Sequence, residues 1–293
     1  PSSAASDVYK RQGYAFYVQE LTDYARQRVE LASSLRHALD NDELRVYYQP
    51  LHDLRDGRQV GMEALVRWQH PQRGLIPPGE FIPIAEDNGM IGAIDAWVLE
   101  QACRQMMRWN AEGRALSFVA VNVSSRLFSR GELDMKVAQV LAETGLPPEQ
   151  LELEVTESAI MEDPDAAQKL LISLRALGVR LAIDDFGTGY SSLARLKRLP
   201  VDKLKLDQSF VRGLPNDAED AAIARAVIAL GKSLGLKVLA EGIEQPAQAD
   251  FLRELGCNYG QGYHFGRPQP VPVNPVDANT PGETQDSHPS TRN

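Results

Sequence analysis

The sequence predicts an α/β protein whose strands close into a barrel, and three observations support this expectation. Between residues 43 and 267, short runs rich in β-forming residues alternate with stretches of helical periodicity. Eight candidate strands with intervening helices in about 225 residues suit an α/β barrel. A doubly wound open sheet is the alternative, but no G-x-G-x-x-G follows the first strand to support it.

The candidate strands are short apolar runs bounded by polar or turn-forming residues. In chain order they are Leu44–Tyr48, Val60–Trp68, Ser117–Val123, Leu151–Val155, Arg180–Ile183, Lys203–Leu206, Lys237–Ala240 and Cys257–Tyr259. Helices are predicted between most of them, at Ala93–Asn110, Leu133–Thr144, Asp165–Leu177, Glu219–Leu234 and Ala247–Leu255. Four of these helices are followed directly by a glycine, the residue at which helices commonly stop.

The two ends of the chain differ from the middle. We interpret residues 1–18 as a leader or the remnant of an upstream domain, and 19–42 as a linker or packing helix. The apolar stripe of that helix consists of Leu21, Ala25, Val29, Ala32, Leu35 and Leu39. The barrel is expected over 43–267. Residues 268–293 are rich in proline and poor in bulky apolar residues, so we expect a disordered tail.

Composition excludes several classes of protein. The 40 acidic residues outnumber the 31 basic ones and give a net charge of −9, which disfavours binding to polymeric nucleic acid. No uninterrupted apolar run approaches the roughly 18 residues of a membrane span. Cys103 and Cys257 are the only cysteines. They rule out a disulfide scaffold and favour a cytoplasmic location.

Polar side chains lie at or near the C-terminal end of almost every predicted strand. They are Glu63, Asn122, Glu154, Asp184, Asp185, Lys205, Glu241 and Gln261. One acidic residue at a strand end is explained by ordinary turn or cap chemistry. Repetition around a closing barrel instead predicts that these side chains converge on one mouth, where α/β barrels carry their chemistry.

The chemistry of these residues indicates a metal site. Five carboxylates at close quarters cannot all stay ionised without a counter-charge. Carboxylate and amide oxygens favour magnesium, manganese or calcium over zinc, and adjacent Asp184 and Asp185 could share two ions. Two ions about 3.5–4 Å apart are typical of in-line phosphoryl displacement. The residues predict metal-assisted hydrolysis of a phosphate ester, with metal-dependent lyases and isomerases open as alternatives.

The motifs in this region resemble those of EAL domains, bacterial phosphodiesterases of the second messenger cyclic di-GMP. The signature is Glu63-Ala64-Leu65-Val66-Arg67-Trp68, followed by His70-Pro71. The resemblance continues in order over about 43–268 with Tyr48-Gln49-Pro50, Phe81-Ile82-Pro83, Asn122-Val123-Ser124, Glu154-Val155-Thr156-Glu157-Ser158, Asp184-Asp185-Phe186-Gly187, Lys205-Leu206-Asp207, Ala240-Glu241-Gly242-Ile243-Glu244 and Gln261-Gly262-Tyr263. Gly13–Phe16 and the following helix resemble the junction between a diguanylate cyclase (GGDEF) domain and an EAL domain.

The resemblance implies a modified TIM-like (β/α)8 barrel whose first strand runs antiparallel to the rest. It also implies hydrolysis of cyclic di-GMP to the linear dinucleotide pGpG, by in-line attack of a water activated by two divalent cations, Mg or Mn. A homodimer formed through the loop and helix after Asp184-Asp185 is expected. The alternative is a non-catalytic cyclic di-GMP receptor or signalling scaffold, a class expected to have lost metal ligands or the lysine.

Residue roles follow from the same resemblance. The first metal would be held by Glu63, Asn122, Glu154 and Asp184, and the second by Asp184, Asp185 and Glu241. The expected catalytic residues are Lys205, which would contact the attacking water, together with Glu63, Glu241 and Glu157. Glu157 would anchor the Asp-Phe-Gly loop. The expected substrate contacts are Gln49, Leu65, Arg67 and Gln261, with Leu65 near a guanine.

Overall fold

The computed structural model describes residues 28–129, 132–187 and 193–270. Its strands are β1 (Leu44–Asp53), β2 (Gln59–His70), β3 (Gly74–Ile76), β4 (Phe118–Val123), β5 (Leu151–Thr156), β6 (Arg180–Phe186), β7 (Lys203–Leu206), β8 (Lys237–Ala240) and β9 (Tyr259–Gly260). Its helices are α1 (28–38 within the described residues), α2 (Pro78–Asp87), α3 (Ile91–Ala111), α4 (Ser125–Ser129), α5 (Leu133–Thr144), α6 (Glu157–Glu162), α7 (Pro164–Ala176), α8 (Leu193–Leu196), α9 (Ala218–Leu234) and α10 (Pro246–Glu254). The predicted leader 1–18, the start of the 19–42 helix and tail residues 271–293 lie outside the described residues.

The strands close into a barrel. Their order is β1-β9-β8-β7-β6-β5-β4-β2, and β2 pairs back onto β1, while β3 extends from β2 as a hairpin outside the ring. β1 is antiparallel to both of its neighbours, and the other barrel pairs are parallel. The prediction of a modified eight-stranded barrel with an antiparallel first strand is confirmed.

Five elements after β2 within the described residues were not predicted, namely β3, α2, α4, α6 and α8, and a proline explains why α2 was missed. Helix α2 begins at Pro78 and contains Pro83, a residue that reads as a helix break because it lacks an N–H and crowds the preceding turn. The helix survives through tertiary packing, since Phe81, Ile84 and Ala85 are buried against the barrel. Strand β3 has only three residues, too few to show a pattern.

The predicted apolar stripe of α1 is partly wrong. Val29 belongs to that stripe but is 70% exposed. Leu35 of the stripe is buried, Ala32 and Leu39 are partly buried against the main core, and Leu31 and Ala38 complete the buried face. The helix therefore packs against the core through the predicted stripe without Val29. Among helices in the described ranges, none has the length and apolarity that crossing a bilayer demands.

The barrel interior has a polar pair beside a small apolar cluster. Leu51, Phe118, Ala120 and Leu239 belong to that cluster. Lys203 Nζ lies 2.6 Å from Glu152 Oε1 and 4.2 Å from the centroid of the Phe118 ring. Because β6 lies between β5 and β7, this ion pair crosses the interior of the barrel. Both side chains are almost fully buried.

We predict that Lys203→Met lowers the free energy of unfolding by about 3–5 kcal/mol, because it leaves the Glu152 carboxylate buried without its partner. Urea denaturation measures this change. Arg104→Ala, which removes an exposed pair with Glu100, serves as the control and is expected to cost less than about 1 kcal/mol. A loss for Lys203→Met no larger than the control's would contradict the prediction.

Candidate active site

A cavity of about 470 Å³ opens at the C-terminal ends of the parallel strands. Its lining includes side chains from or just after seven of the barrel strands: Gln49, Glu63, Asn122, Asp184, Lys205, Glu241 and Gln261. Glu154, from the eighth, lies buried beneath them against Lys205. The alternation of residues along each strand explains this convergence, because every second side chain points into the barrel.

Lys205 is the centre of the site. Its side chain is 1% exposed, and its Nζ lies 2.6 Å from Glu154 Oε2, 2.7 Å from Glu241 Oε1, 3.1 Å from Asp184 Oδ1 and 3.6 Å from Glu63 Oε1. One ammonium therefore faces four carboxylates. The cluster lacks enough positive charge from its own residues to let every carboxylate ionise.

The pKa values reflect this imbalance. Burial opposes the charged form of Lys205, but the surrounding carboxylates outweigh it and hold the lysine pKa well above its ordinary value. Burial raises the pKa of Glu154 well above its usual range and that of Glu241 to about 8. For Glu63, burial is outweighed by the Lys205 ammonium and by hydrogen bonds, which together lower the pKa.

A chain of amide hydrogen bonds orients Glu63. Asn122 Nδ2 donates to Glu63 Oε1 at 2.7 Å, and Gln261 Nε2 donates to Glu63 Oε2. Gln261 also donates to Gln49 Oε1 at 3.0 Å, and Gln49 donates in turn to the carbonyl of Gly266 at 3.0 Å. Both oxygens of Glu63 are thereby fixed relative to β1, β4 and β9.

The donor set fits a divalent cation. Oxygens from Asp184, Asp185 and Glu241 all lie within 4.8 Å of one another. Glu154 Oε1 is buried with no hydrogen-bond partner among the described residues. Asp185 adopts a φ of 53°, a left-handed conformation uncommon for a residue with a side chain, and its N–H donates to Asp184 Oδ1. Clustered carboxylate oxygens are the ligands that magnesium and manganese favour.

Glu157 lies apart from this cluster at the start of α6. Its Oε2 accepts a hydrogen bond of 3.1 Å from the backbone N–H of Gly187, directly after β6. Its Oε1 is buried with no hydrogen-bond partner among the described residues. The contact joins Glu157 to the beginning of the loop that follows Asp184-Asp185-Phe186, of which residues 188–192 lie outside the described ranges.

A comparison of the chain with known protein families finds a match. The family described as the EAL domain matches residues 32–268. The chain belongs to the EAL domain family. This family assignment agrees with the resemblance predicted from the motifs.

Relatives of this EAL domain include two proteins of Pseudomonas aeruginosa. The chain is 48% identical over 261 residues to the bifunctional diguanylate cyclase/cyclic di-GMP phosphodiesterase MucR, covering 89% of this chain and 38% of that protein. It is 47% identical over 261 residues to the cyclic di-GMP phosphodiesterase NbdA, covering 89% of this chain and 33% of that protein. The chain thus spans between a third and two fifths of these relatives.

Solved structures share the fold. The MucR phosphodiesterase in complex with c-di-GMP has a TM-score of 0.80 and 49% identity, over 83% of this chain and 98% of that one. The EAL domain of FimX from Pseudomonas aeruginosa, bound to c-di-GMP, has a TM-score of 0.75 and 27% identity, over 82% of this chain and 96% of that one.

The structure places three of the four predicted substrate contacts at the main cavity. Gln49, Leu65 and Gln261 line the cavity. Arg67 is not among the residues that line it. Its Nη1 donates to the carbonyl of Val66 at 2.8 Å, and its guanidinium lies 5.7 Å from the centroid of the Tyr47 ring.

Sequence reasoning missed Gln208 and Arg212, which line the cavity from the segment after β7, and Asp95 in the first turns of α3. Gln208 directly follows the Lys-Leu-Asp motif and could have been examined on that ground. Arg212 and Asp95 have no local signal, because an exposed arginine in a turn and an acidic residue near a helix start are common.

Asp95 lies in a second, more apolar pocket of about 320 Å³, which shares Leu65 and Asn122 with the main cavity. Its Oδ2 accepts hydrogen bonds from the Ser124 hydroxyl at 2.5 Å and from the Ser124 N–H at 3.1 Å. Burial nevertheless raises the pKa of Asp95 to about 6. The pocket therefore places a carboxyl group against an apolar wall.

The raised pKa of Asp95 predicts a pH dependence of stability. The folded state binds this proton more tightly than the unfolded chain, so the stabilisation is complete below pH 4 and is lost as pH rises through about 6. Relative to Asp95→Asn, the metal-free wild type should lose about 1–3 kcal/mol of unfolding free energy across this window. Urea denaturation at several pH values tests this. Wild-type and Asp95→Asn curves that stay parallel across this window would contradict it, and Asp165→Asn, at an exposed position on α7, is the matched control.

We also predict that Mg²⁺ or Mn²⁺ raises the thermal unfolding midpoint of the metal-free protein. A ligand that binds only the folded state stabilises it by about 2.7 kcal/mol at 100 times its dissociation constant. Asp184→Asn should abolish most of this shift, whereas Glu143→Gln, an exposed control on α5, should keep it. An undiminished shift in Asp184→Asn would locate metal binding elsewhere.

Proposed function

We propose that this EAL domain hydrolyses cyclic di-GMP to linear pGpG with two divalent cations, Mg or Mn, as cofactors. The observation that carries the proposal is the position of Lys205 among four carboxylates at the mouth of the barrel. Relatives named as cyclic di-GMP phosphodiesterases, and the MucR domain solved with that nucleotide, support the choice of substrate.

The acidic cavity would repel an anionic dinucleotide unless cations neutralised it. We propose that one cation is held by Asp184, Asp185 and Glu241. The second would be held by the expected set Glu63, Asn122, Glu154 and Asp184. When bound, such cations supply charge neutralisation, lower the pKa of water and polarise the phosphate.

The residues themselves would position the attack. With its Nζ protonated, Lys205 is a hydrogen-bond donor, so it would orient the attacking water rather than remove its proton. That proton would pass to one of the carboxylates that share the ammonium, while the P–O3′ bond breaks and the released 3′-oxygen takes up a proton. The amide chain from Gln49 through Gln261 to Glu63 would keep the carboxylate of Glu63 from rotating during the reaction.

The pocket beside the cavity would hold a guanine base. Leu65 and Ile82 provide apolar surface, and Asp95 provides an acceptor for the donors N1–H and N2–H of guanine. The sequence prediction that Leu65 lies near a guanine is consistent with this arrangement. Asp95 extends it with a polar contact.

The alternative is a receptor that binds cyclic di-GMP without cleaving it. All of the predicted metal ligands and the lysine are present in this chain, which favours the enzyme. Incubating the purified chain with cyclic di-GMP and Mg²⁺ or Mn²⁺, followed by chromatography of the products, separates the two functions. The enzyme gives pGpG and stops in excess chelator. Binding with no product would instead support the receptor.

We predict that Lys205→Ala lowers kcat by roughly 10²–10⁴, because one oriented catalytic contact is lost. KM should change by less than about tenfold, or 1.4 kcal/mol. Steady-state kinetics, with circular dichroism to confirm folding, tests this. Lys232→Ala on the exposed face of α9 is the control and should retain full turnover. If KM rises while kcat is preserved, Lys205 serves only to neutralise surplus carboxylates.

Three broader expectations stay proposals. A homodimer would form through the loop and helix after Asp184-Asp185, and light scattering over a range of concentrations would detect it. Cys103 and Cys257 are both free and buried, which suits the proposed cytoplasmic location. The division into leader, linker helix, barrel and tail is retained with its predicted bounds.

A further inference from the structure

One wall of the main cavity has no role in the mechanism above. It is formed by Gln208 and Arg212, which follow β7, and by Glu244, which follows β8. We call these three residues the polar wall. They lie two to six residues beyond the ends of β7 and β8.

A single buried amide holds the polar wall together. Gln248 on α10 is 4% exposed. Its Oε1 accepts hydrogen bonds from the backbone N–H groups of Glu244 at 2.8 Å and Gln245 at 2.9 Å. Its Nε2 donates to the carbonyls of Val211 at 3.0 Å and Arg212 at 3.3 Å. The backbones that carry Arg212 and Glu244 are therefore fixed to the same side chain.

A glycine brings the third residue of the wall close. Gly242 has a φ of 67°, and a Cβ added there would lie 2.5 Å from Cβ of Gln208. Any other residue would push Gln208 away from the loop that carries Glu244. The polar wall is thus built by specific contacts rather than by loop residues that are near one another by chance.

The chemistry of the wall is complementary to guanine. Arg212 is the only arginine among the described residues that line the main cavity, and its guanidinium has no ion pair within those residues. Guanine offers acceptors at O6 and N7, which an arginine fork binds, and donors at N1 and N2, which a carboxylate binds. Adenine places a donor where guanine has O6. A phosphate would gain from Arg212 but would be repelled by Glu244.

We propose that Gln208, Arg212 and Glu244 form a subsite that selects guanine at one base of the cyclic dinucleotide, with Gln248 as its positioning residue. This inference rests on the proposed function, because it assigns a base to the same cavity. The apolar pocket at Leu65 would take the other base. The enzyme would then bind the two guanine bases of the substrate through different contacts.

The test compares binding of cyclic di-GMP and cyclic di-AMP, measured by calorimetry in Ca²⁺, with turnover of cyclic di-GMP measured separately in Mn²⁺. Arg212→Ala should weaken binding of cyclic di-GMP at least tenfold and that of cyclic di-AMP less than threefold. Arg104→Ala, an exposed arginine on α3, is the control and should change neither. Equal weakening for both nucleotides would indicate a phosphate contact and overturn the proposal, as would unchanged binding.

Two further variants test the rest of the wall. Glu244→Ala should produce the same selective loss, and Glu244→Gln, which keeps one acceptor oxygen, should restore part of it. Gln248→Met keeps the volume of the side chain but removes its hydrogen bonds. It should reduce the preference for cyclic di-GMP and raise KM with little change in kcat. A lower thermal midpoint with an unchanged preference would make Gln248 merely structural.

The outcomes separate this inference from the proposed function. If the wild type binds cyclic di-GMP in an Arg212-dependent manner but forms no product, the guanine subsite stands and the hydrolase proposal fails. If product forms but the Arg212→Ala preference is unchanged, only the subsite fails. A wild type that binds neither nucleotide overturns both.

Discussion

The arrangement of side chains at the C-terminal ends of the barrel strands depends on the ammonium of Lys205. Four carboxylates from separate strands meet there, and they would repel one another in a poorly solvated space without a shared cation. Because Lys205 lies on β7, its partners fix the distances between that strand and β2, β5, β6 and the end of β8. A structural constraint and the proposed chemistry therefore use the same atoms.

Alternation along two strands produces two charged layers from one pattern. In Leu-Glu-Leu-Glu of β5 and Lys-Leu-Lys-Leu of β7, every second residue points inward. Glu152 and Lys203 pair one-to-one beside the apolar cluster, where the charges balance. Glu154 and Lys205 belong to the cluster at the cavity, where four carboxylates surround one ammonium. The excess distinguishes a site suited to cations from an ion pair that only stabilises the barrel.

The fold and the ring of polar residues could be predicted because both arise from local rules. Strand periodicity located the barrel strands, and the motifs supplied the antiparallel first strand. Polar residues at successive strand ends meet once the sheet closes. Helix α2 could not be found in this way, since Pro83 is tolerated only through burial of its neighbours. The buried face of α1 was misjudged at Val29 because several stripes fit an amphipathic helix equally well.

The polar wall and the second pocket could not be predicted, because they depend on contacts between distant segments. Arg212 reaches the cavity through the hydrogen bonds of Gln248, 36 residues away in sequence. Asp95 is set against the pocket by Ser124 from the end of β4. Arg67 is the opposite case, a motif residue that does not line the cavity. Its guanidinium contacts the carbonyl of Val66 and the ring of Tyr47 instead. A motif specifies residue types, whereas the direction of a long side chain is decided by its neighbours.

The protonation of Lys205 can be followed directly by titration. In metal-free protein with ¹³C-labelled lysine, the Cε resonance absent from Lys205→Met identifies this residue by NMR. We expect Lys205 to lose its proton at a distinctly higher pH than an ordinary lysine side chain, because buried carboxylates raise the pKa of its ammonium. A Lys205 resonance that titrates at or below the ordinary lysine pKa would show that the carboxylates do not hold this ammonium.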